Sequence, residues 1–272
     1  MKWLHFILSH SIFIAVCAVA LCFQTALLLH INLSFYLYAF IFFSTICSYN
    51  FYWLLSANAF AKKTIWLVLK QYYTNVIVLV LAGVGLLFSL LKIRELFPVI
   101  SIGLLLTLLY TVPLLPFKIF HTARKAGLVK TILLAFTWTF VTVYIPYKQM
   151  PTADLSTLVV LFNNRLLFML MLCIIFDARD TNIDKIRGLQ SLTTLLKPVT
   201  VQNIMLAIFI TYIINGILYY DEPMQIIALL VTGAFTVIVY LLSLKKQGYF
   251  FYYFLVDGLM LFSAIAAYVA SI

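Results

Sequence analysis

The 272-residue sequence has few charged residues. Only 10% of its residues are charged and 65% are hydrophobic, whereas about a quarter of the residues of a soluble globular domain are charged and about half are apolar. A single aqueous core cannot bury so much apolar surface, so the composition excludes an ordinary soluble domain. The expected fold class is all-α, a polytopic helical bundle in a membrane, and residues 1–272 are expected to form one domain.

Cysteine and glycine are also scarce. The four cysteines, Cys17, Cys22, Cys47 and Cys173, lie inside apolar runs, without the spacing of a metal site or a disulfide framework. They are expected to behave as small buried hydrophobes. Nine glycines and no internal repeat give little support to a transporter, because transporters often have glycine- or proline-broken helices and repeated halves.

Hydropathy predicts nine membrane spans joined by short connections. The predicted spans are residues 4–29, 33–55, 67–90, 97–115, 129–146, 156–176, 200–219, 224–244 and 249–271. None of the connections is long enough for a separate soluble domain. For the first span the alternative is a cleavable signal peptide ending near Ala20, although its apolar run is longer than the usual hydrophobic region of such peptides.

Lysines and arginines are divided unequally between the two sides of this nine-span arrangement. With the amino terminus in the cytoplasm, fourteen of the eighteen lie on the cytoplasmic side and only Lys92, Arg94 and Lys148 on the other. The positive-inside rule therefore predicts an N-in/C-out topology, and the expected location is a bacterial cytoplasmic membrane. The same distribution explains the net charge of +10, so no nucleic-acid partner is expected.

Acidic residues are the scarcest charged residues, and three of the eight lie close together. Asp177, Asp180 and Asp184 follow the sixth predicted span, and spacings of three and four place them on one face of a helix. Clustered carboxylates repel one another, and their oxygens are ligands that Mg²⁺ prefers. The three are therefore candidate ligands of Mg²⁺, the expected cofactor. The alternative is a solvated helix end at which they pair with neighbouring lysines and arginines.

A longer motif begins beside these aspartates. It reads Arg179-Asp180-Thr-Asn-Ile-Asp184-Lys-Ile-Arg-Gly188-Leu-Gln-Ser191-Leu192. It resembles the second aspartate-rich motif of the UbiA superfamily of intramembrane prenyltransferases, approximately Arg-Asp-x-x-x-Asp-x-x-x-Gly-x-x-Thr-Leu, with serine in place of threonine. A second stretch, Tyr110-Thr-Val-Pro113-Leu-Leu-Pro116-Phe-Lys118, is similar to the family's Tyr…Pro…Leu-Lys segment. The nine predicted spans also fit the family fold.

The family's first motif, approximately Asn-x-x-x-Asp-x-x-x-Asp, is incomplete in this chain. Asn50 matches at the end of the second predicted span, but Leu54 and Asn58 occupy the positions of the two aspartates. The sequence has no carboxylate side chain before Glu95. In typical members the two motifs hold Mg²⁺ against a prenyl diphosphate from opposite sides, so one side here lacks its anionic ligands.

The resemblance implies a membrane prenyltransferase that moves a prenyl group from a prenyl diphosphate to a lipid-soluble acceptor. The diphosphate- or substrate-binding residues that it implies are Asn50, Tyr110, Lys118 and Arg179. We expect one Mg²⁺ at the aspartates and basic side chains in place of a second metal ion. The alternative is a catalytically inactive relative that binds isoprenoid lipid or scaffolds a partner.

Two charged residues lie inside predicted spans. Arg165 precedes Asp177 by twelve residues, which is about 18 Å along a helix, and Asp257 lies about two turns inside the ninth span. Charges within a membrane are energetically costly and usually face a partner or a cavity. Arg165 and Asp257 are therefore expected either to pair with each other or to line a polar cavity.

Overall fold

The fold is described by a computed structural model, for residues 2–61, 72–111, 127–151, 154–187, 191–220 and 222–272. All regular elements in these ranges are helical. The helices of the first half are α1 (Lys2–Ser9), α2 (Ile12–Leu28), α3 (Phe35–Ala61), α4 (Tyr73–Lys92) and α5 (Phe97–Thr111). A 68° bend separates α1 from α2, and Ser11 at this bend has a left-handed backbone with φ of 62°.

The second half begins with α6 (Gly127–Thr139), which continues through a π-helical turn (Phe140–Tyr144) into α7 (Ile145–Gln149). The remaining helices are α8 (Leu155–Arg187), α9 (Leu192–Leu195), α10 (Pro198–Tyr219), α11 (Pro223–Ser243) and α12 (Asp257–Val269). A second π-helical turn, Phe251–Val256, leads directly into α12.

Six helical segments in the described ranges are long and apolar enough to cross a membrane. They are Tyr73–Lys92, Val129–Gln149, Leu155–Thr181, Pro198–Tyr219, Pro223–Ser243 and Phe251–Val269. The bent pair α1 and α2 would make a seventh if it forms one span. The predicted all-α membrane bundle is therefore confirmed, whereas the count of nine spans and the N-in/C-out topology stay predictions.

Helix α8 is the central helix of the bundle. It runs for 33 residues and packs against α6, α10, α11 and the π turn before α12. Phe168, Met171, Leu172, Ile174 and Ile175 from its middle are almost completely buried and form the centre of the largest core cluster. The run from residue 155 to 176 contains no proline or glycine, so each backbone group can be satisfied within the helix, as a membrane requires.

Helices α3 and α4 pack closely, and two glycines of α4 differ sharply in their surroundings. A Cβ atom at Gly85 would lie 2.5 Å from the ring of Phe43 on α3, whereas a Cβ atom at Gly83 would meet nothing within 4 Å. The absence of a side chain at Gly85 therefore lets the two helices approach each other.

We predict opposite effects for alanine at these two glycines. Gly85→Ala should lower the free energy of unfolding by about 1–3 kcal/mol, because the added methyl group overpacks the contact with Phe43. Gly83→Ala should raise it by up to about 1 kcal/mol through helix propensity. Thermal unfolding of the detergent-purified variants measures both effects. Equal melting temperatures for the two variants would contradict the close contact between α3 and α4.

Candidate functional site

Asp177 is buried near the carboxyl-terminal end of α8, with 7% of its surface exposed. Thr131 of α6 donates a hydrogen bond to Asp177 Oδ2 at 2.6 Å. The main-chain carbonyl of Asp177 accepts hydrogen bonds from the hydroxyls of Thr181 at 3.0 Å and Thr193 at 2.8 Å. Asp177 thus links α8 to α6 through its side chain and to α9 through its backbone.

Tyrosines of α3 and α5 form a group around Tyr110. Tyr110 on α5 interacts electrostatically with Asp177 and with Tyr49 and Tyr52 on α3. The ring of Tyr49 also meets Trp138 of α6 edge to face, with ring centroids 6.4 Å apart. The structure therefore brings together two of the residues selected from the sequence, Tyr110 and Asp177, and adds phenol groups that no sequence motif indicated.

Arg179 and Asp180, which are neighbours in α8, form a two-pronged ion pair. Arg179 Nε donates to Asp180 Oδ1 at 2.7 Å, and Nη2 donates to Oδ2 at 2.8 Å. The guanidinium also lies over the rings of Phe176, Tyr252 and Tyr253, 5.0–5.4 Å from their centroids. Both carboxylate oxygens of Asp180 are therefore bound by Arg179. Asp180 thus forms the ion pair with a neighbouring basic residue that was the alternative to metal binding.

Asp257 adds a buried carboxylate at the same end of α8. It is the first residue of α12, is 4% exposed, and interacts electrostatically with Arg179 and Tyr49. Within the described ranges, Asp257 Oδ1 and Arg179 Nη1 are both buried without a hydrogen-bond partner. The sequence showed that Asp257 lies inside a span, but it could not show that the residue faces Arg179.

The predicted pairing of Arg165 with Asp257 is wrong. Arg165 donates hydrogen bonds to Gln24 Oε1 at 2.8 Å and to the carbonyl of Leu21 at 3.3 Å. The two charges lie at different levels of the bundle. Asp257 interacts with Arg179, and Arg179 lies fourteen residues after Arg165 in α8, which is about 21 Å of helix. The other alternative is confirmed for Arg165, which lines a polar cavity.

Asn50, the residue left from the first motif, is buried and hydrogen-bonded on both sides of its amide. Its Nδ2 donates to the carbonyls of Ile46 at 2.9 Å and His10 at 3.0 Å. Its Oδ1 accepts a hydrogen bond from Asn75 Nδ2 at 3.2 Å. An asparagine side chain forms about four hydrogen bonds, so these three contacts leave little capacity for a ligand. Two of them fasten α3 to the bend between α1 and α2 and to α4.

One solved structure has a similar fold over almost its whole length. It is the apo structure of a UbiA homolog from Aeropyrum pernix K1, which matches 94% of this chain and 96% of its own chain with a TM-score of 0.64 and 13% sequence identity. The chain has the UbiA fold. No protein-family model and no curated protein sequence matches the chain. The resemblance inferred from the motifs is therefore confirmed for the fold, which at this identity says nothing of activity.

The UbiA fold leaves the predicted magnesium ligands untested. For Asp184 the structure describes the backbone, which belongs to α8, but not the side chain. Lys118 and the side chains of Leu54 and Asn58 also lie outside the described residues. In the described part of the chain, no three His, Cys, Asp or Glu side chains form a group that could hold a metal ion. Metal binding by Asp177, Asp180 and Asp184, and diphosphate binding by Asn50, Tyr110, Lys118 and Arg179, stay predictions.

We predict that the Thr131 hydroxyl stabilises the bundle through Asp177. Thr131→Val keeps the shape of the side chain but removes the donor from a buried carboxylate, which should lower the free energy of unfolding by about 1.5–3 kcal/mol. Thr131→Ser keeps the hydroxyl and serves as the matched control. Unfolding in detergent distinguishes the two variants, and equal stabilities would show that this hydrogen bond contributes nothing.

We also predict which charges of the bundle are energetically coupled. The effects of Arg165→Gln and Asp257→Asn on the free energy of unfolding should add within about 0.5 kcal/mol, because the two side chains are far apart. Arg179→Gln and Asp257→Asn should instead show an interaction energy of about 0.5–3 kcal/mol. Two double-mutant cycles measure these quantities. A larger interaction energy for Arg165 with Asp257 than for Arg179 with Asp257 would restore the pairing of Arg165 with Asp257.

Proposed function

We propose that this integral membrane protein is a UbiA-like prenyltransferase, which transfers a prenyl group from a prenyl diphosphate to a membrane-accessible acceptor. The UbiA fold over 94% of the chain supports this proposal. The observation that carries it is the electrostatic interaction of Tyr110 with Asp177. Tyr110 belongs to one of the two stretches that resemble the family's motifs, and Asp177 lies two residues before the other. The partly buried Arg179 begins that second motif.

The chemistry of prenyl transfer places definite demands on such a site. The bond between the allylic carbon and the diphosphate oxygen breaks, and the diphosphate leaves with the electron pair. The acceptor forms a bond to the electron-deficient carbon and loses a proton. Groups that neutralise the departing diphosphate therefore accelerate the reaction, and aromatic faces stabilise positive charge on the carbon.

The described side chains can supply both kinds of group. Arg179 carries the positive charge, and the rings of Phe176 and Tyr252 hold its guanidinium in place. Tyr110 provides aromatic surface near Asp177, and Tyr49 provides it near Asp257. In the proposed reaction, Arg179 neutralises the diphosphate and the tyrosines lie along the isoprenoid.

Magnesium assistance, which the family resemblance implies, places a further condition on Arg179. Asp180 has both oxygens engaged by Arg179, so the described arrangement does not itself form a Mg²⁺ site. Asp180 becomes available to a metal ion only if Arg179 releases it. The same release would free the guanidinium fork, whose geometry matches phosphate oxygens as well as carboxylates.

A catalytically inactive homologue that binds isoprenoid lipid or scaffolds a partner is the second candidate function. Two observations favour it. Leu54 and Asn58 occupy the positions of the first motif's aspartates, and the Asn50 amide is engaged in contacts between helices. A protein that had lost turnover could retain the fold and the isoprenoid-binding surface.

A prenyl-transfer assay with an aspartate variant separates the two candidates. Membranes containing the overproduced protein are incubated with radiolabelled prenyl diphosphates of several chain lengths, with Mg²⁺ or with a chelator. A transferase should place label in the lipid extract, and Asp180→Asn should lower the rate by about 100-fold or more if Asp180 takes part in charge stabilisation. The matched control is Asp154→Asn, because Asp154 is exposed just before the other end of α8 and bonds to Ser156.

Each outcome of this assay has a definite meaning. Label bound to the protein at every chain length without lipid product would support the inactive homologue. Neither binding nor product would contradict both candidates. Unchanged binding and turnover in Asp180→Asn would contradict a role for Asp180, and equal turnover with the chelator would contradict the need for Mg²⁺.

A further inference from the structure

A second polar region lies at the opposite end of α8 from Asp177. Five helices, α2, α8, α10, α11 and α12, line a cavity of about 40 Å³ there. This volume can hold a few water molecules or one small polar group. Arg165, Asn164 and Gln24 are among the side chains that line it.

The Arg165 guanidinium faces this cavity without an acidic partner in the described part of the chain. Its side chain is 4% exposed, and two of its five N–H donors are used, by Gln24 and Leu21. The ionisable groups that act on it are the Cys22 thiol and the phenols of Tyr212 and Tyr220. A buried cation is stabilised by a counter-ion, and the described residues around the cavity do not supply one.

Two more donors meet at the same cavity. Asn164 Nδ2 is buried, and no described residue meets it in full hydrogen-bond geometry, while Asn164 Oδ1 accepts a hydrogen bond from Asn215 at 2.6 Å. The second donor is the hydroxyl of Tyr220, which lies just past the end of α10 and interacts with the Asn164 side chain. Burial raises the pKa of Tyr220, so the hydroxyl keeps its proton at neutral pH.

Gln24 fixes the guanidinium in the orientation that a ligand would meet. Its Oε1 accepts the hydrogen bond from Arg165 Nη2 at 2.8 Å. Its Nε2 donates to the carbonyl and the hydroxyl of Ser263 on α12, at 3.1 and 3.0 Å. Because Gln24 is held from both sides, Arg165 needs little reorganisation to bind a ligand.

We propose that this cavity binds a carboxylate group, with Arg165 as its counter-ion and Asn164 Nδ2 and the Tyr220 hydroxyl as further donors. A planar carboxylate matches the paired donors of a guanidinium, and its size suits the cavity. Leu28, Leu161 and Leu229 in the walls suit a short apolar tail. The proposal is independent of prenyl transfer, because the cavity lies about 18 Å along α8 from Asp177.

Thermal unfolding of the full-length protein in detergent tests the carboxylate site. Sodium acetate should raise the melting temperature of the wild-type protein in a saturable way. Sodium gluconate at the same ionic strength should not, because its hydroxylated chain does not suit the leucine side chains in the walls. Arg165→Gln should lose the acetate-dependent rise, whereas the control Arg94→Gln should keep it, since Arg94 is exposed and contacts the carbonyl of Leu91.

Milder variants keep the test decisive if Arg165→Gln does not fold. Tyr220→Phe removes one donor without changing the charge, and Arg165→Lys keeps the charge but removes the fork. Each should weaken acetate binding by about tenfold, as removal of a charge-assisted hydrogen bond does. Saturation-transfer NMR with isotope-labelled acetate measures this affinity directly.

Further arms identify the source of the carboxylate and the result that overturns the site. Arg165-dependent stabilisation by palmitate in lipid nanodiscs, without an effect of acetate, would assign the carboxylate to a membrane fatty acid. Absence of both effects would leave water as the sole occupant and overturn the proposal, as would equal acetate effects in wild type and Arg165→Gln. An acetate effect seen only in Asp221→Asn would also overturn it, because the chain's own carboxylate would then be the counter-ion.

Discussion

Compensation of buried charge is the constraint on which the arrangement of this bundle depends. Lipid tails are as apolar as leucine, so apolar contacts alone give membrane helices little directional preference. Helix α8 carries Arg165, Asp177 and Arg179. Gln24 of α2 contacts Arg165, Thr131 of α6 contacts Asp177, and the rings of Tyr252 and Tyr253 lie against Arg179. These contacts fix the rotation and the depth of α8 more sharply than its leucines can.

The π-helical turn before α12 serves the same purpose at Arg179. Successive residues of a regular helix point about 100° apart, yet Tyr252 and Tyr253 both lie against one guanidinium. They belong to the turn at Phe251–Val256, which inserts a wider i→i+5 stretch into the helix. Asp257 follows immediately and also acts on Arg179. One local irregularity therefore delivers two rings and a carboxylate to the same cation.

Patterns in the sequence predicted what depends on composition and local spacing, and missed what depends on helix rotation. Long apolar runs predicted the helices, and the motif at Arg179 and Asp180 predicted the UbiA fold. No pattern could select Thr131 from the other threonines. The pair formed by Arg179 and Asp180 was also hidden, because adjacent residues do not normally face each other on a helix. Arg165 and Asp257 were predicted as possible partners because the sequence does not show how deep each charged side chain lies in the bundle.

The charges at the carboxyl-terminal end of α8 show what diphosphate binding there requires. Asp177, Asp180 and Asp257 bring three carboxylates, whereas the described cations in this region are Arg179 and Lys130. A diphosphate would add further negative charge to a region in which acids already outnumber bases. We therefore expect a further cation to assist Arg179, either Mg²⁺ or a lysine such as Lys118. Because the first motif has lost its aspartates, the metal would have to bind at the α8 side, where Arg179 now occupies Asp180. Under the proposed function, release of that one ion pair would make both Asp180 and the Arg179 guanidinium available for a prenyl diphosphate and its metal ion.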